Sequence, residues 1–352
     1  MPKTVLSNSE VVKALGLPDD ILTKLRTEEG TSFTATANQF IEALVNKIVY
    51  QKVDKMTFNN PFQKFEGYKV NYGDTIENIF VDLPTGYTFD KDSTNPFEKF
   101  VSNVKSLYAS INFEMQYPLT VQDSFLRRAV LNEYGLMDLV GNLISSLGTR
   151  KSIDEYQATI AMLNNADLYA GGFETVDVSE EATDTGKYKA ITQKIIDVVT
   201  DFALPCKDNN KLKVMNSSPK TRTLLVIKQE VLNHINIDFL AGVFNLSKVD
   251  LIGSIIPVRS FQVVKPGSSE EDPSVLGEDI DFVVLDKEGF DIHPALQDSG
   301  MIYNPRGKYT NHFTNDWMII AYKYYFNARA FKIQYTAPAT QSSAASTSQA
   351  NQ

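Results

Sequence analysis

Cysteine is almost absent from this chain of 352 residues: Cys206 is the only one. That excludes an internal disulfide and fits a reducing compartment. Cys206 follows Pro205 and has no second thiol at redox spacing, so nothing supports a catalytic role for it. Histidine is scarce too; His234, His293 and His312 are far apart and belong to no H-E-x-x-H or similar metal pattern. The sequence has no G-x-S-x-G, no P-loop and no dinucleotide fingerprint. Gly171-Gly172 is not followed by the Lys-Ser/Thr that a phosphate loop requires. With no run of 18 apolar residues and no cationic, apolar leader, the chain reads as soluble, unexported and without a membrane partner. The net charge is −9, and the basic residues form no stripe, which argues against nucleic-acid binding as the main activity. A protein that surrounds DNA without gripping it remains compatible with that charge. Asp279 and Asp281 share one strand face and could ligate a cation, although a solvated face is the simpler reading. Nothing here demands catalytic, cofactor-binding or metal residues.

What the sequence does have is strong periodicity. Thr120 to Tyr169 reads as three helices in series. The first is capped by Thr120 and carries Phe125, Leu126, Ala129 and Val130. The second carries Leu136, Met137, Val140, Leu143, Ile144 and Leu147, with Gly148 in the C-cap position. The third opens on a capping box, Ser152 to Glu155, and would be roughly 27 Å long. Before this stretch, residues 1–58 form a thin helical arm with too few apolar groups for a core of its own. It is expected to pack on the body or on a neighbour.

Between arm and helices lie two extended segments. The first runs from Tyr68 to Val81. In the second, Leu107, Ala109, Ile111, Phe113, Met115 and Tyr117 alternate with polar neighbours. Pro84 to Asn95, rich in turn residues, is the expected hairpin tip. A strand of about 14 residues spans on the order of 45 Å, while a compact chain of this size has a radius of gyration near ~20 Å. Such a ribbon must cover something. Lying on a neighbouring subunit and folding back on its own body both satisfy that need.

Lys187 to Ala203 reads as an amphipathic helix, preceded by an acidic loop from Val176 to Gly186. Strands at Leu224–Ile227, Ile255–Val258 and Ile280–Leu285, with a helix at Ile237–Phe244, point to an α/β subdomain on a mixed sheet. Ser299 to Thr336 combines a turn at Asn304-Pro305-Arg306-Gly307 with dense aromatics around Trp317. Those aromatics are either a packing layer or a cleft. Residues 337–352, mostly Ala, Ser, Thr and Gln, are expected to be a disordered tail.

Several sequence words occur in a familiar order. They are Asn59-Asn60-Pro61-Phe62-Gln63-Lys64-Phe65, Gly73-Asp74-Thr75-Ile76-Glu77-Asn78-Ile79-Phe80, Val121-Gln122-Asp123-Ser124, Ile153-Asp154-Glu155-Tyr156 and Asn304-Pro305-Arg306-Gly307-Lys308-Tyr309. Together they resemble the major capsid proteins of phi-29-like podoviruses over nearly the whole chain to about Thr336. The resemblance implies an α+β protein of the Hong Kong 97 (HK97-like) phage capsid fold. Its parts would be an N-terminal arm (1–58), a β-hairpin E-loop (59–119) and a peripheral domain with spine helix (120–186). An axial domain (187–299), return strands to the peripheral domain (300–336) and the tail would follow. It further implies a non-enzymatic shell protein, self-assembled through pentamers and hexamers into an icosahedral or prolate head around double-stranded DNA. Expected partners are a separate scaffolding protein, a portal or connector, a head fibre or decoration protein, and DNA in non-specific contact. The place is the virion capsid, made and assembled in the cytoplasm of a host bacterium. Tyr87, Phe89, Asp90, Ile111, Phe113, Met115, Asn304 and Arg306 are the expected inter-subunit residues. The phi-29 relative carries an extra immunoglobulin-like domain where this chain has only the tail, which puts any decoration role of that domain in doubt here. An encapsulin-type cargo shell is the rival within the fold, and a soluble enzyme with an aromatic cleft near Trp317 the rival outside it.

Overall fold

The computed structural model describes parts of residues 9–43, then 58–71, 73–84, 103–124, 135–179, 183–235, 254–264 and 275–335, with gaps of single residues and a few isolated residues between. Along 135–145 it describes the backbone only. In chain order the elements are α1 (Ile21–Thr27), β1 (Ile76–Val81), β2 (Val104–Ala109), β3 (Phe113–Gln122) and the long helix α2 (Gly135–Leu163). They continue with β4 (Phe173–Asp177), α3 (Asp184–Ala203), β5 (Thr223–Lys228), β6 (Ile255–Val258), β7 (Val263–Val264) and β8 (Val275–Leu276). The last four are β9 (Phe282–Asp286), β10 (Phe290–Asn304), β11 (Tyr309–Tyr322) and β12 (Ala328–Gln334). The chain divides into two compact units, residues 1–163 with 288–323, and 164–287 with 324–352. These limits differ from the sequence-based boundaries at 186/187 and 299/300. Ser299 pairs with Thr314 inside a continuous β10–β11 ladder, so a cut at 299 would split a hairpin.

The first unit is built on the antiparallel sheet β10-β11-β3. Along β3, Phe113, Tyr117 and Val121 are buried while Glu114, Gln116 and Thr120 face out, the alternation of a half-buried strand. The N-terminal arm packs on this body. Its Val12, Ile21, Leu25, Phe33 and Phe40 form one cluster with Val121 and Leu126.

Two expectations are corrected here. Strand character begins at Ile76 rather than Tyr68, and the long second segment is two strands, broken at 110–112. Asn112 explains the break: its side-chain amide donates to Ile320 O and accepts from Ile320 N, both at 2.8 Å. It stands in for a peptide rung where the chain leaves one ladder and enters another. The three expected helices are redrawn in part: Asp123, Ser124, Leu126 and Arg128, the described residues of the first beyond β3, are helical, while the second and third are one. Thr120 lies in β3, and Gly148 and Ser152 lie inside the single 29-residue α2, about 43 Å long. The ion pairs Arg150–Asp154 (2.9 Å) and Lys151–Glu155 (3.7 Å) bind successive turns just past the expected stop, at the spacing that stabilises a helix.

The second unit holds the mixed sheet β4-β12-β9-β5-β6, parallel in the β4–β12 and β5–β6 pairs. β5 and β9 at its centre are buried on both faces, hence their unbroken apolar runs. α3 covers one face, burying Ile191, Ile195, Val198, Val199 and Phe202 against Leu225, Ile227, Phe282, Val284 and Phe331. Each such side chain contributes about 1.5–3 kcal/mol of transfer free energy before the entropy of ordering it. The sequence-based strand at Ile255–Val258 and the helix over Lys187–Ala203 agree with β6 and α3, while Ile237–Phe244 lies outside the described residues. Within the expected acidic loop, Val176 and Asp177 belong to β4 and α3 begins at Asp184. Asp279 and Asp281 do share a partner, but it is an ammonium: Lys228 Nζ lies 2.6 Å and 2.8 Å from them.

Candidate contact surfaces

β1 and β2 pair antiparallel from Ile76↔Ala109 to Val81↔Val104. One face of this ribbon carries Ile76, Asn78, Phe80, Leu107 and Ala109, half-buried, and Asn78 Nδ2 donates to Asp291 Oδ2 at 2.6 Å. The other face is open. Ile79, Val81, Val104 and Tyr108 are 59%, 54%, 55% and 69% exposed on it. A two-stranded ribbon is marginal by itself, and contiguous exposed apolar groups mark a surface meant to be covered.

The β10–β11 hairpin ends in a second exposed feature. Asn304 Oδ1 accepts from the backbone N–H of Arg306 and of Gly307, both at 3.1 Å, and its Nδ2 donates to Tyr309 Oη at 2.7 Å. Gly307 is required by space, because a Cβ there would meet Tyr309 Cε1 at 2.2 Å. Arg306 is exposed on this tip, and Met301 and Ile302 stand open on the strand leading to it.

In the same unit α2 is held to the sheet by charge. Lys151 Nζ lies 3.0 Å from Asp316 Oδ1 on β11, and Asp316 is almost fully buried. Burial pushes the Glu155 carboxyl up to about 7, and the Asp316 and Glu66 charges push the same way against the pull of Lys151. Burial works against the Lys151 charge too, but Asp316 and Glu155 outweigh it and raise its pKa. Tyr117 is raised by burial and by Asp154 and Asp316. Glu155 and Glu66 line one small cavity with Phe62, Thr159, Ile292 and Met318.

The expected contact residues fall in different places. Asn304 and Arg306 come together at the hairpin tip. Tyr87, Phe89 and Asp90 lie outside the described residues. Ile111 is half-buried in the link between β2 and β3, and Phe113 and Met115 belong to the three-stranded sheet rather than the ribbon, with Phe113 buried in its own unit. The sequence reading did not single out Ile79, Val81, Val104 and Tyr108, the large apolar groups left open on the ribbon. The legible signal was β1 itself, where Ile76 and Phe80 on one face and Ile79 and Val81 on the other make both faces apolar. The aromatic stretch is a packing layer in part: Tyr322 meets Phe290 edge-on, with ring centres 5.8 Å apart. Among the described residues no group of His, Cys, Asp and Glu could hold a metal, and no helix is long and apolar enough to cross a membrane.

The family model described as Phi29-like phage major capsid protein matches residues 22–332. The chain belongs to that family. This family member is 26% identical to the major capsid protein of Bacillus phage PZA, covering 92% of this chain and 75% of that one. It is also 26% identical to the major capsid protein of Bacillus phage B103, where it covers 84% of its own length but only 63% of the relative's. Among solved structures it superposes on the capsid structure of Staphylococcus phage Andhra with a TM-score of 0.59 at 10% identity, over 82% of this chain and 88% of that chain. The mature capsid of bacteriophage PhiM1 gives a TM-score of 0.53 at 10% identity, over 82% and 91%. At such identities the likeness concerns the fold, which is the α+β, HK97-like capsid fold.

Proposed function

We propose that this chain is the shell-forming major capsid protein of a phage head. The observation that carries the reading is the open face of the β1–β2 ribbon, which a single copy leaves uncovered. Its role is structural. Each copy would lay that ribbon, as an E-loop, on the next copy around a ring, a head-to-tail contact that closes when the rotation closes. In this reading α2 is the spine helix, the first unit the peripheral domain and the second the axial domain. Pentamers and hexamers would make an icosahedral or prolate shell around double-stranded DNA, touched without sequence preference. A separate scaffolding protein, a portal and a head fibre or decoration protein are the proposed partners, and a host bacterial cytoplasm the place of assembly. Ile79, Val81, Val104, Tyr108, Asn304 and Arg306 are the proposed contact residues.

The test is negative-stain microscopy of the purified chain, expressed alone and with a candidate scaffolding protein. Uniform closed shells in either case are expected. Folded monomers in both, at concentrations where relatives form shells, would overturn the reading.

A further inference from the structure

The second unit carries opposite charge at the two ends of α3. At its C-terminal end the chain enters a segment, residues 204–222, that is fastened at several points. Asn210 is buried and its side chain both donates to Val214 O (2.8 Å) and accepts from Val214 N (2.9 Å). Asn209, also buried, donates to Asp201 Oδ2 at 2.9 Å and its carbonyl accepts from Ala328 N at 2.9 Å. Cys206 bridges Asn216, and Ser218 N donates to Phe202 O at 2.6 Å. What this framework presents outward is Lys207, Lys211 and Lys213, all exposed, with Asp208 the one exposed acid among them. Lys213 holds φ +51°, a left-handed position where Gly or Asn would be the economical residue. A long cationic side chain stands there instead. Among the described residues only Lys211 of the three meets an ion-pair distance, a loose 3.8 Å to the exposed Asp167.

At the N-terminal end of α3 the charge is reversed. Asp177 closes β4, and Glu181 and Asp184 flank the Thr183 cap; all three are exposed. Lys187 pairs with Asp184 at 3.3 Å, and among the described residues the other two acids have no cation at ion-pair distance. The twenty residues of α3 set the two ends about 30 Å apart, too far to meet within one copy. Charges at a helix's own ends favour its dipole, which accounts for Asp184. That does not account for exposed lysines up to ten residues beyond the helix, one of them on a left-handed backbone.

We infer that these are the two halves of one contact: the Lys207–Lys213 turn of one copy docks on the Asp177–Asp184 segment of the next. The contact is head-to-tail, as a ring requires, and it rests on the shell reading above. Complementary patches of this kind fix register and partner more than they add affinity. A phosphate backbone is the competing occupant for the lysine turn, and an overall charge of −9 weighs against it.

Charge reversal tests this. The variant carrying Lys207→Glu, Lys211→Glu and Lys213→Glu should keep the wild-type melting temperature, since all three are exposed, yet lose shells in low salt. A chain carrying those changes together with Asp177→Lys, Glu181→Lys and Asp184→Lys should form shells again, because every contact is then re-paired with its signs exchanged. Normal shells from the first variant, or no recovery in the second with its fold intact, would overturn the inference. Normal shells that hold less DNA would assign the turn to the nucleic acid instead. The wild-type chain runs alongside: if it too makes no shells, the shell reading fails, not this contact alone.

Discussion

Lys151 Nζ lies 3.0 Å from Asp316 Oδ1 and so ties α2 to β11 inside the first unit. The same ammonium is 3.7 Å from Glu155 Oε1. One cation therefore serves two carboxylates in a place with little water. Such a clamp is a poor source of net stability but a severe liability when one member is removed, because the partner charge is left buried alone.

Lys151→Met is expected to destabilise the protein by about 3–5 kcal/mol, the usual result of breaking a buried pair. Lys151→Met with Asp316→Asn should recover much of that, since the stranded charge is gone. Chemical denaturation of both variants checks it. Equal loss in single and double variants would show that packing, not charge, is at stake.

The clamp also predicts a pH dependence. In the fold Glu155 keeps its proton up to about 7, against 4.5 for an ordinary glutamate. Folding is thus favoured where the group is protonated. The contribution is fully present below pH ~4.5 and is lost as pH rises through about 7, on the order of 3 kcal/mol in all. His312 acts in the opposite direction. Burial lowers it to about 4 from 6.5, so its contribution is present above 6.5 and lost as pH falls through about 4. Unfolding midpoints of Glu155→Gln should show a flatter profile between pH 5 and 8 than the wild type. An unchanged slope would remove Glu155 from the account.

The clamp was not legible in the sequence, and the reason is local. Ser152 to Glu155 spells a capping box, yet Ser152 is buried mid-helix and Glu155 faces Lys151. A capping signal lost to tertiary packing is the ordinary fate of a weak local preference. The break at 110–112 was hidden for a different reason. The apolar alternation keeps its parity from Leu107 through Tyr117, so a period-two pattern cannot see Asn112 replacing a rung. β6 and α3 were legible because their patterns answer to one neighbour each, a buried sheet and its covering helix. The open face of the ribbon was half legible: paired extended segments were expected here, but the strands are six residues each, and the apolar groups that stand open on them were not singled out.

Gly277 offers a test of the second unit. Its φ is +91°, and a Cβ there would lie 2.0 Å from Asn164 Nδ2. That amide donates to Phe261 O at 3.0 Å and to Glu278 O at 2.9 Å. Gly277→Ala should therefore lose both hydrogen bonds and strain the backbone, at about 1–3 kcal/mol. Gly277→Asn, which tolerates the left-handed region better, would still meet the clash. A stability equal to wild type in either variant would mean that Asn164 moves freely and anchors nothing.

The ribbon gives the prediction that bears on function. Ile79 and Tyr108 are more than half exposed, so Ile79→Lys and Tyr108→Lys should leave the stability of the separate chain within about 0.5 kcal/mol of wild type. If that face lies on a neighbour, each change forces a charge into an apolar contact. Losing on the order of 2 kcal/mol per contact weakens each by more than roughly tenfold, and a closed shell repeats the loss at every copy. Shell yield should therefore collapse while circular dichroism and melting stay constant. The control is Glu77→Gln, on the same face but already polar, which should assemble. Shells at normal yield from both lysine variants would mean that the ribbon's open face is not where copies meet, and the search would move to the β10–β11 tip at Arg306.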